Sequence, residues 1–513
     1  LTDRSLRLVA VDLGAESGRA VVGTFDGGRL ALDVVHRFPN VPVTLAGTLH
    51  WDFLRLFGDV VAGLRRAAAS GPVASVGVDT WGVDFGLIDD RGRLLGNPVH
   101  YRDARTAGMP EAAFPTVPRD EIYRATGIQF MPINTLYQLL SMVRAGDPML
   151  RQADRLLMTG DLFAHFLCGS SVAEYTNAST SQCLDPFTRD WARPLLERLG
   201  IPTGLLPEIV QPGTDLGPLL PDVAAAAGLA GTRVVAPGSH DTASAVVGAP
   251  LSGPTTAFLS SGTWSLLGLE VAAPVVSDVS LAANLTNEGG VAGTIRLLRN
   301  VMGLWLIQES RRALWPADDG PTYEQLAGLA ESAPAFTAFI DPDDERFLRP
   351  GDLPARVRAF CRETGQPEPA DTRTLMRVLL ESLALRYARA IDELTAASGH
   401  RIEAIHVVGG GSNHRLLCHL TAGATGLPVR AGPSEATAIG NIAVQAIAAG
   451  ELASVAEARE LVARSFAITT YAPGGDWAEA RARFAALVAR SERTSERTPQ
   501  PAPDPSSTVP FTS

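Results

Sequence analysis

Four short stretches carry residues whose types and spacing suit phosphoryl chemistry. The first is "AVDLGAESGRAVVG" (10–23), an apolar strand that breaks into small polar residues and then resumes. A Gly-rich turn between two strands suits a phosphate, because bare backbone N–H groups converge on an anion there. Asp12 ends the first strand. A carboxylate in that place suits Mg2+, held through water because Mg2+ keeps much of its hydration shell. Glu16 stands in the middle of the turn, where its charge would repel a phosphate. A plain hairpin with a capping aspartate is the competing reading.

The second stretch, "SSGTWS" (260–265), offers the hydroxyls of Ser260, Ser261 and Thr263 and the bare backbone of Gly262 to a γ-phosphate; taken alone it also reads as a polar turn. The third, "VVGGGSN" (407–413), sets three glycines between a strand and a helix, so that a flat or anionic ligand approaches the backbone closely. It is not the GxGxxG dinucleotide fingerprint, because no glycine follows at the required spacing. The fourth, "PGSHDTASAV" (237–246), places Asp241 where a loop gives way to an apolar helical stretch. A carboxylate at a helix N-terminus is favoured by the helix dipole and stays ionised. Asp241 could therefore accept a hydroxyl proton during phosphoryl transfer. N-capping by Ser239 or Asp241, with no chemistry, is the alternative.

These side chains need a frame. "LRLVAVDLG" (6–14) and "RAVVGTFDGG" (19–28) read as a hairpin, and "RLALDVVHRF" (29–38) as a third strand. "WDFLRLFGDVVAGLRRAAAS" (51–70) has Trp51, Leu54, Val61 and Leu64 at helical spacing, and "VASVGVDTWGVDFGLID" (73–89) reads as strand, turn, strand. The second half repeats the layout: strand, small-polar turn and strand at 255–270, a long helix at 373–399, then strand, triple-Gly turn, helix and strand at 402–432. Two halves with one layout suggest an internal duplication, each half with a phosphate-facing turn and a nucleotide in the cleft between them. Gly and Pro cluster in "VVGAPLSGPTT" (246–256), so the expected domains are 1–248, on the sugar and phosphate side, and 249–490, on the nucleotide side. Residues 491–513 are rich in Pro, Ser and Thr, and are expected to be a disordered tail.

With 513 residues the chain is too long for one core, and 46% hydrophobic residues suffice for two. A net charge of −11, from 44 basic and 55 acidic residues, argues against nucleic-acid and membrane-surface partners. The four cysteines are scattered without CxxC spacing, so neither a disulfide framework nor a zinc site is expected. No signal peptide is read at the start, and no apolar run reaches the length of a membrane span; a cytoplasmic protein is the expectation.

Longer strings surround the four stretches: "VDLGAESGR", "VDTWGVDFGLID", "YRDART", "GIQFMPINTLYQL", "EYTNASTSQ", "SHDTASAV", "LSSGTWSL", "AANLTNEGG", "RNVMGLWLIQE" and "DPDDERF". In this order, from about residue 8 to about residue 475, the chain resembles the FGGY carbohydrate kinases of the actin/sugar-kinase superfamily, and within them the branch acting on L-rhamnulose. The resemblance implies an α/β fold of two ribonuclease-H-like (actin-like ATPase) domains around a central cleft. It implies ATP-dependent phosphorylation of the 1-hydroxyl of L-rhamnulose, in L-rhamnose catabolism, with Mg2+. By matching segment, Ala15, Glu16, Ser17, Gly18, Arg19 and Thr263 would hold the ATP phosphates, and Gln308 and Gly410 the rest of the nucleotide. Gly82, His240, Asp241, Thr242 and Asn300 would hold the sugar, Asp241 would take the proton, and Asp12 would sit on the Mg2+ side. Other kinases of this type carry a small hydroxyl residue where this chain has Glu16, which would then point outward or sit near the metal. Some relatives also bracket the "CRET" segment with a cysteine pair; here nothing follows Cys361 until Cys418, so no disulfide is expected there. The expected partners are a sugar and ATP, with a monomer or small homo-oligomer. The rival readings are an FGGY kinase for another ketose, such as L-fuculose or a pentulose, and a non-catalytic sugar- or nucleotide-binding regulator.

Overall fold

The computed structural model describes residues 6–26, 28–317 and 319–497, with side chains as far as Arg490. The opening hairpin is β1 (Leu6–Leu13) and β2 (Ser17–Phe25), antiparallel with Asp12 opposite Arg19, and β3 (Leu30–Pro39) extends it antiparallel. α1 (Phe53–Ala69), capped by the Asp52 side chain at Arg55 N, crosses to β4 (Ser75–Thr80), which pairs parallel with β1. Leu54 is not on the apolar face as expected but is 70% exposed. The helix starts at Phe53 and buries Phe53, Leu56, Val60 and Leu64, while Trp51 is buried just ahead of it.

Residues 73–89 are strand, turn and strand as expected, but the two strands do not pair with each other. Phe85–Ile88 pairs instead with Arg155–Met158, because the intervening turn is wrapped around Asp84. The buried Asp84 carboxylate accepts from Trp51 Nε1 (2.6 Å), Trp81 Nε1 (3.0 Å), Gln138 Nε2 (2.9 Å) and Tyr101 N (3.2 Å). The following insertion has its own apolar core, which includes Phe85, Tyr137, Tyr175 and Trp191. β5 (Asp215–Pro218) and β6 (Arg233–Val235) complete a six-stranded sheet of order β5-β6-β4-β1-β2-β3. α2 (Asp241–Val247) follows.

The second sheet comprises β7 (Thr256–Ser261), β8 (Trp264–Val271), β9 (Thr286–Gly289), β10 (Ile295–Met302), β11 (Ala404–Val408), β12 (Val429–Ala431) and β13 (Thr469–Tyr471). Their order is β9-β10-β8-β7-β11-β12-β13. Between β10 and β11 lie α3 (Trp305–Leu314) and the long α4 (Thr372–Ser398); α5 (Arg415–Thr425) joins β11 to β12. The wiring β3-β2-β1-β4-β6 of the first sheet recurs as β10-β8-β7-β11-β12, two antiparallel pairings followed by two parallel ones. The expected duplication is present.

Helices are exchanged between the halves. α2 follows the first sheet in the chain but packs Val246 against Phe258, Leu266 and Leu298 of the second. α6 (Ala436–Ala448) and α7 (Val455–Ser465) follow the second sheet but pack on the first, with Ile439, Ile442, Leu461 and Val462 against Leu8, Ala10, Val21 and Phe25. A cut at 248/249 therefore separates the strands but not the packed bodies. α2 and α6 cross backbone to backbone: a Cβ at Gly440 would lie 1.7 Å from Ser244 O, and one at Gly248 2.1 Å from Ala436 O.

The last helix, α8 (Ala478–Arg497), runs past Arg490, so the stretch expected to be disordered from 491 is helical to Arg497; residues 498–513 lie outside the described residues. Trp477, Phe484, Leu487 and Val488 anchor it in the second core, and each further residue adds a backbone hydrogen bond at little extra cost once the helix is nucleated. All four cysteines are free.

Candidate active site

The parallel register of β1 and β4 puts Asp12 beside Asp79 at the ends of adjacent strands. The next position, Thr80, bridges to His240, with Thr80 N donating to Ser239 O at 2.8 Å. Three carboxylates, Asp12, Asp79 and Asp241, thus gather at one edge of the sheet. Burial, then the neighbouring Asp12 charge, pushes Asp79 well above the usual carboxylate range, against the Asn441 hydrogen bond (2.6 Å) that lowers it. Burial also raises Asp241, opposed by His240. Arg19 faces the group: its Nη2 and Nε reach Asp12 Oδ2 at 2.7 and 2.8 Å, while its Nη1 reaches Glu435 Oε2 at 2.9 Å. Asp79 Oδ1 is buried without a partner. Crowded anionic oxygens with an unfilled acceptor fit a hydrated Mg2+. Among the described residues no three His, Cys, Asp or Glu side chains stand close enough to hold a metal alone.

The turn between β1 and β2 is closed by Gly14 N donating to Ser17 O (3.0 Å) and braced by Asn40, whose N donates to Glu16 O (2.9 Å) and whose Nδ2 donates to Gly14 O (3.0 Å). Ala15, Ser17 and Gly18 lie in or beside it. Gly18 has a packing reason to be glycine, since a Cβ there would lie 2.3 Å from the Phe38 ring. Arg19 was expected on the phosphates; its guanidinium is committed to Asp12 and Glu435. The Glu16 carboxylate reaches across to α3 in the other half, 3.3 Å from Arg312 Nη2.

On the sugar side, Asp241 begins α2 with its side chain 29% exposed; Thr242 Oγ1 donates to its Oδ1 at 3.1 Å, and His240 Nε2 lies 3.4 Å from the same oxygen. The loop before it hangs on Glu174, which accepts from Ser239 N (3.0 Å), Ser239 Oγ, Thr176 N (2.8 Å) and Thr176 Oγ1 (2.6 Å). Gly82 packs on Thr180, which would be 2.9 Å from a Cβ. Asn300 enters from β10 and is held by Gln129: Asn300 N donates to Gln129 Oε1 (2.9 Å) and Gln129 Nε2 to Asn300 O (3.2 Å).

On the nucleotide side, Ser260 of β7 pairs with Val408 of β11, so the turn bearing Thr263 and the triple-Gly turn share one sheet edge. Two of the three glycines serve packing: Cβ atoms at Gly409 and Gly411 would lie 3.0 Å from Ser261 O and 2.0 Å from Ser261 Oγ. A Cβ at Gly410 would meet nothing within 4 Å, so Gly410 faces open space. Thr263 O accepts from Trp305 N (3.1 Å), tying this turn to α3, where Gln308 presents a buried Oε1 with no partner. The structure thus brings Asp12, Arg19, His240, Asp241 and Thr242 into one group, and sets Thr263 and Gly410 on a second sheet edge beside the helix that carries Gln308. Sequence reasoning missed Asp79, Gln129, Glu174, Glu288, Arg296 and Asn441. The first four stood inside quoted strings; only strand register and helix exchange bring them to the site. The hollows lined by Phe85–Met149 and by Asp89–Asp154 residues belong to the insertion and contain none of these groups.

Residues 8–248 match the N-terminal domain of the FGGY family of carbohydrate kinases, and residues 257–449 its C-terminal domain. The chain is 44% identical to Rhamnulokinase of Bacteroides thetaiotaomicron over 465 residues, covering 90% of this chain and 95% of that one. It is 43% identical to Rhamnulokinase of Pectobacterium carotovorum, covering 94% and 96%. Among solved structures, gluconate kinase from Lactobacillus acidophilus superposes with a TM-score of 0.77 at 18% identity, covering 96% of this chain and 98% of that one. Glycerol kinase from Plasmodium falciparum with ADP superposes with a TM-score of 0.74 at 14% identity, covering 96% and 98%. The duplicated sheets, the paired turns and the match of both domain models together place this chain in the FGGY family of carbohydrate kinases.

Proposed function

We propose that this chain transfers the γ-phosphoryl group of ATP to the 1-hydroxyl of L-rhamnulose, giving L-rhamnulose 1-phosphate and ADP. The observation that carries the reading is the placement of Asp241, a partly exposed carboxylate at the strand ends that carry Asp12 and Asp79, beside a turn at 14–17 that Glu16 ties to Arg312 of α3 in the other half. The choice of sugar follows the relatives named Rhamnulokinase, which are 44% and 43% identical along most of this chain. A cytoplasmic location and a monomer or small homo-oligomer complete the reading.

The C1 oxygen attacks the γ-phosphorus in line, the bond from that phosphorus to the bridging oxygen of ADP breaks, and the hydroxyl proton passes to Asp241. The transition state is loose, so the alcohol needs alignment more than early deprotonation. Thr242 and His240 fix the carboxylate, while His240 and Asn300 orient the sugar. Burial that raises Asp241 above the ordinary aspartate value makes it a stronger base near neutral pH. Thr263, Ser17 and the turn backbone receive the phosphates, Gly410 leaves room for the nucleotide, and Gln308 offers its unpartnered amide oxygen. Mg2+, when bound, offsets charge on the transferring group; Asp12 and Asp79 would hold it, largely through water.

A coupled ADP-release assay across L-rhamnulose, L-fuculose and pentuloses tests this. The expected kcat/KM is at least tenfold higher for L-rhamnulose. A higher value for another ketose reassigns the substrate, and absence of release with every ketose favours a non-catalytic regulator.

A further inference from the structure

Behind His240 lies a charged pair that the proposed reaction does not require. Glu288 of β9 and Arg296 of β10 stand directly opposite on antiparallel strands, with Arg296 Nη1 3.2 Å from Glu288 Oε2. The Arg296 side chain has no exposed surface and that of Glu288 only 5%. Arg296 Nε donates to Gly289 O (2.9 Å). Two charges at that depth lose their hydration, and pairing offsets the loss only with excellent geometry; apolar residues of similar volume often stabilise as well or better. The geometry here is not excellent, since neither Glu288 Oε2 nor Arg296 Nη1 makes an aligned hydrogen bond. Stability is therefore a poor account of the pair.

Both members of the pair meet at one atom, His240 Nδ1, while Arg296 also holds Gly289 O and Glu288 also faces Asn300. Arg296 Nη2 lies 3.1 Å from it and Glu288 Oε2 3.3 Å from it. A guanidinium only donates, and a carboxylate only accepts. Facing Arg296, Nδ1 must present its lone pair, which puts the ring proton on Nε2; facing Glu288, the assignment reverses. The contact with Arg296 is the shorter one and the aligned one. Nε2 is the atom that lies 3.4 Å from Asp241 Oδ1. We propose that Glu288 and Arg296 are positioning residues for phosphoryl transfer: they fix the ring plane of His240 and keep its proton on Nε2, so that it donates to Asp241 and holds that carboxylate toward the sugar hydroxyl. Glu288 sets where the guanidinium sits; the guanidinium sets the tautomer.

This inference rests on the proposed role of Asp241, so its test has one arm that needs no turnover. In protein carrying 15N-labelled histidine, the His240 signals are identified by their loss in His240→Gln. The wild type is expected in the Nε2–H form, and Glu288→Gln/Arg296→Met, which removes both charges at similar volume, is expected to lose that preference. The second arm is a cycle of that double variant, His240→Gln and the triple variant, run on whichever ketose the wild type turns over fastest. The double variant should lower kcat at least tenfold with ATP KM within twofold and the melting temperature close to wild type. In the His240→Gln background it should cost less than threefold. If the double variant does not fold, Arg296→Lys keeps the charge and loses the planar fork, and the same kcat loss is expected. A wild-type Nδ1–H tautomer, a double variant with normal kcat, or a full tenfold loss without His240 overturns the inference. A wild type inactive on every ketose overturns the proposed function while leaving the tautomer arm to decide this one.

Discussion

Asp241→Asn preserves shape and removes only charge. Turnover should fall at least about a hundredfold, within the usual range for losing a positioned base, while ATP affinity measured by calorimetry stays within twofold. The pH profile carries the sign of the shift. The base works ionised, ionisation is lost as pH falls through the folded value, and burial has raised that value; the acid limb of kcat/KM should therefore lie above the 3.8 of an ordinary aspartate. A limb at or below that point would detach Asp241 from the rate. Glu16 poses the opposite case, a carboxylate in a phosphate turn. Its charge is turned on Arg312, and burial, with Arg312 opposing it, raises its protonation constant. The Arg312 side chain is 55% exposed, and such pairs contribute less than about 1 kcal/mol, so Glu16→Ser should change ATP KM by less than about fivefold with unchanged Mg2+ dependence. Asp241, Thr263 and Gly410 were singled out because the long strings around them resemble a known family; taken alone, the Asp241 segment also read as a helix cap and the Thr263 segment as a polar turn. Asp79 was not singled out, although its string was: nothing in "VDTWGVD" says that this Asp will stand beside Asp12, since only β1–β4 pairing does that.

At the scale of elements, the triple-Gly turn separates two jobs that the sequence merges. Gly410→Val adds side-chain atoms that start in open space, so ATP KM should rise at least fivefold with an unchanged melting temperature. Gly411→Val drives a Cβ into Ser261 Oγ, so expression and melting temperature should drop before any kinetic effect can be read. If both variants affect only KM, the assignment of the two glycines is wrong. The strands flanking the phosphate turns and the helices α1, α4 and α5 were readable from apolar patterning, whereas α3, α6, α7 and α8 were not read. Leu54 was misplaced because Trp51 belongs to the Asp84 anchor and not to α1, and nothing in the sequence showed that the strand after "DTWGVD" would pair with Arg155–Met158: a buried carboxylate with four donors bends the chain away from a hairpin. The tail was expected to begin too early because a helix already seated by Phe484 and Leu487 continues into polar sequence.

At the scale of the molecule, the duplication was visible in the repeated strand–turn–strand layout, but the exchange of α2 and α6 was not, since no periodicity tells a helix which of two similar sheets it will cover. The crossing of those helices leaves no room for a side chain. Gly440→Val should cost at least the 1–3 kcal/mol typical of overpacking, read as a lower melting temperature with or without ATP. A stable, fully active Gly440→Val protein would mean the helices separate freely. The crossing also decides how the polypeptide can be divided. A fragment ending at 248 would leave Leu8, Ala10, Val21 and Phe25 bare, because the helices that cover them are encoded in the second half; a fragment starting at 249 would lack the helix that covers Phe258 and Leu298. Each fragment expressed alone should aggregate, whereas the two co-expressed should recover as a soluble, active pair that gel filtration shows as one species. The duplication therefore produced two halves that are complete in their strands but not in their surfaces, and the unit that selection can keep or lose is the pair.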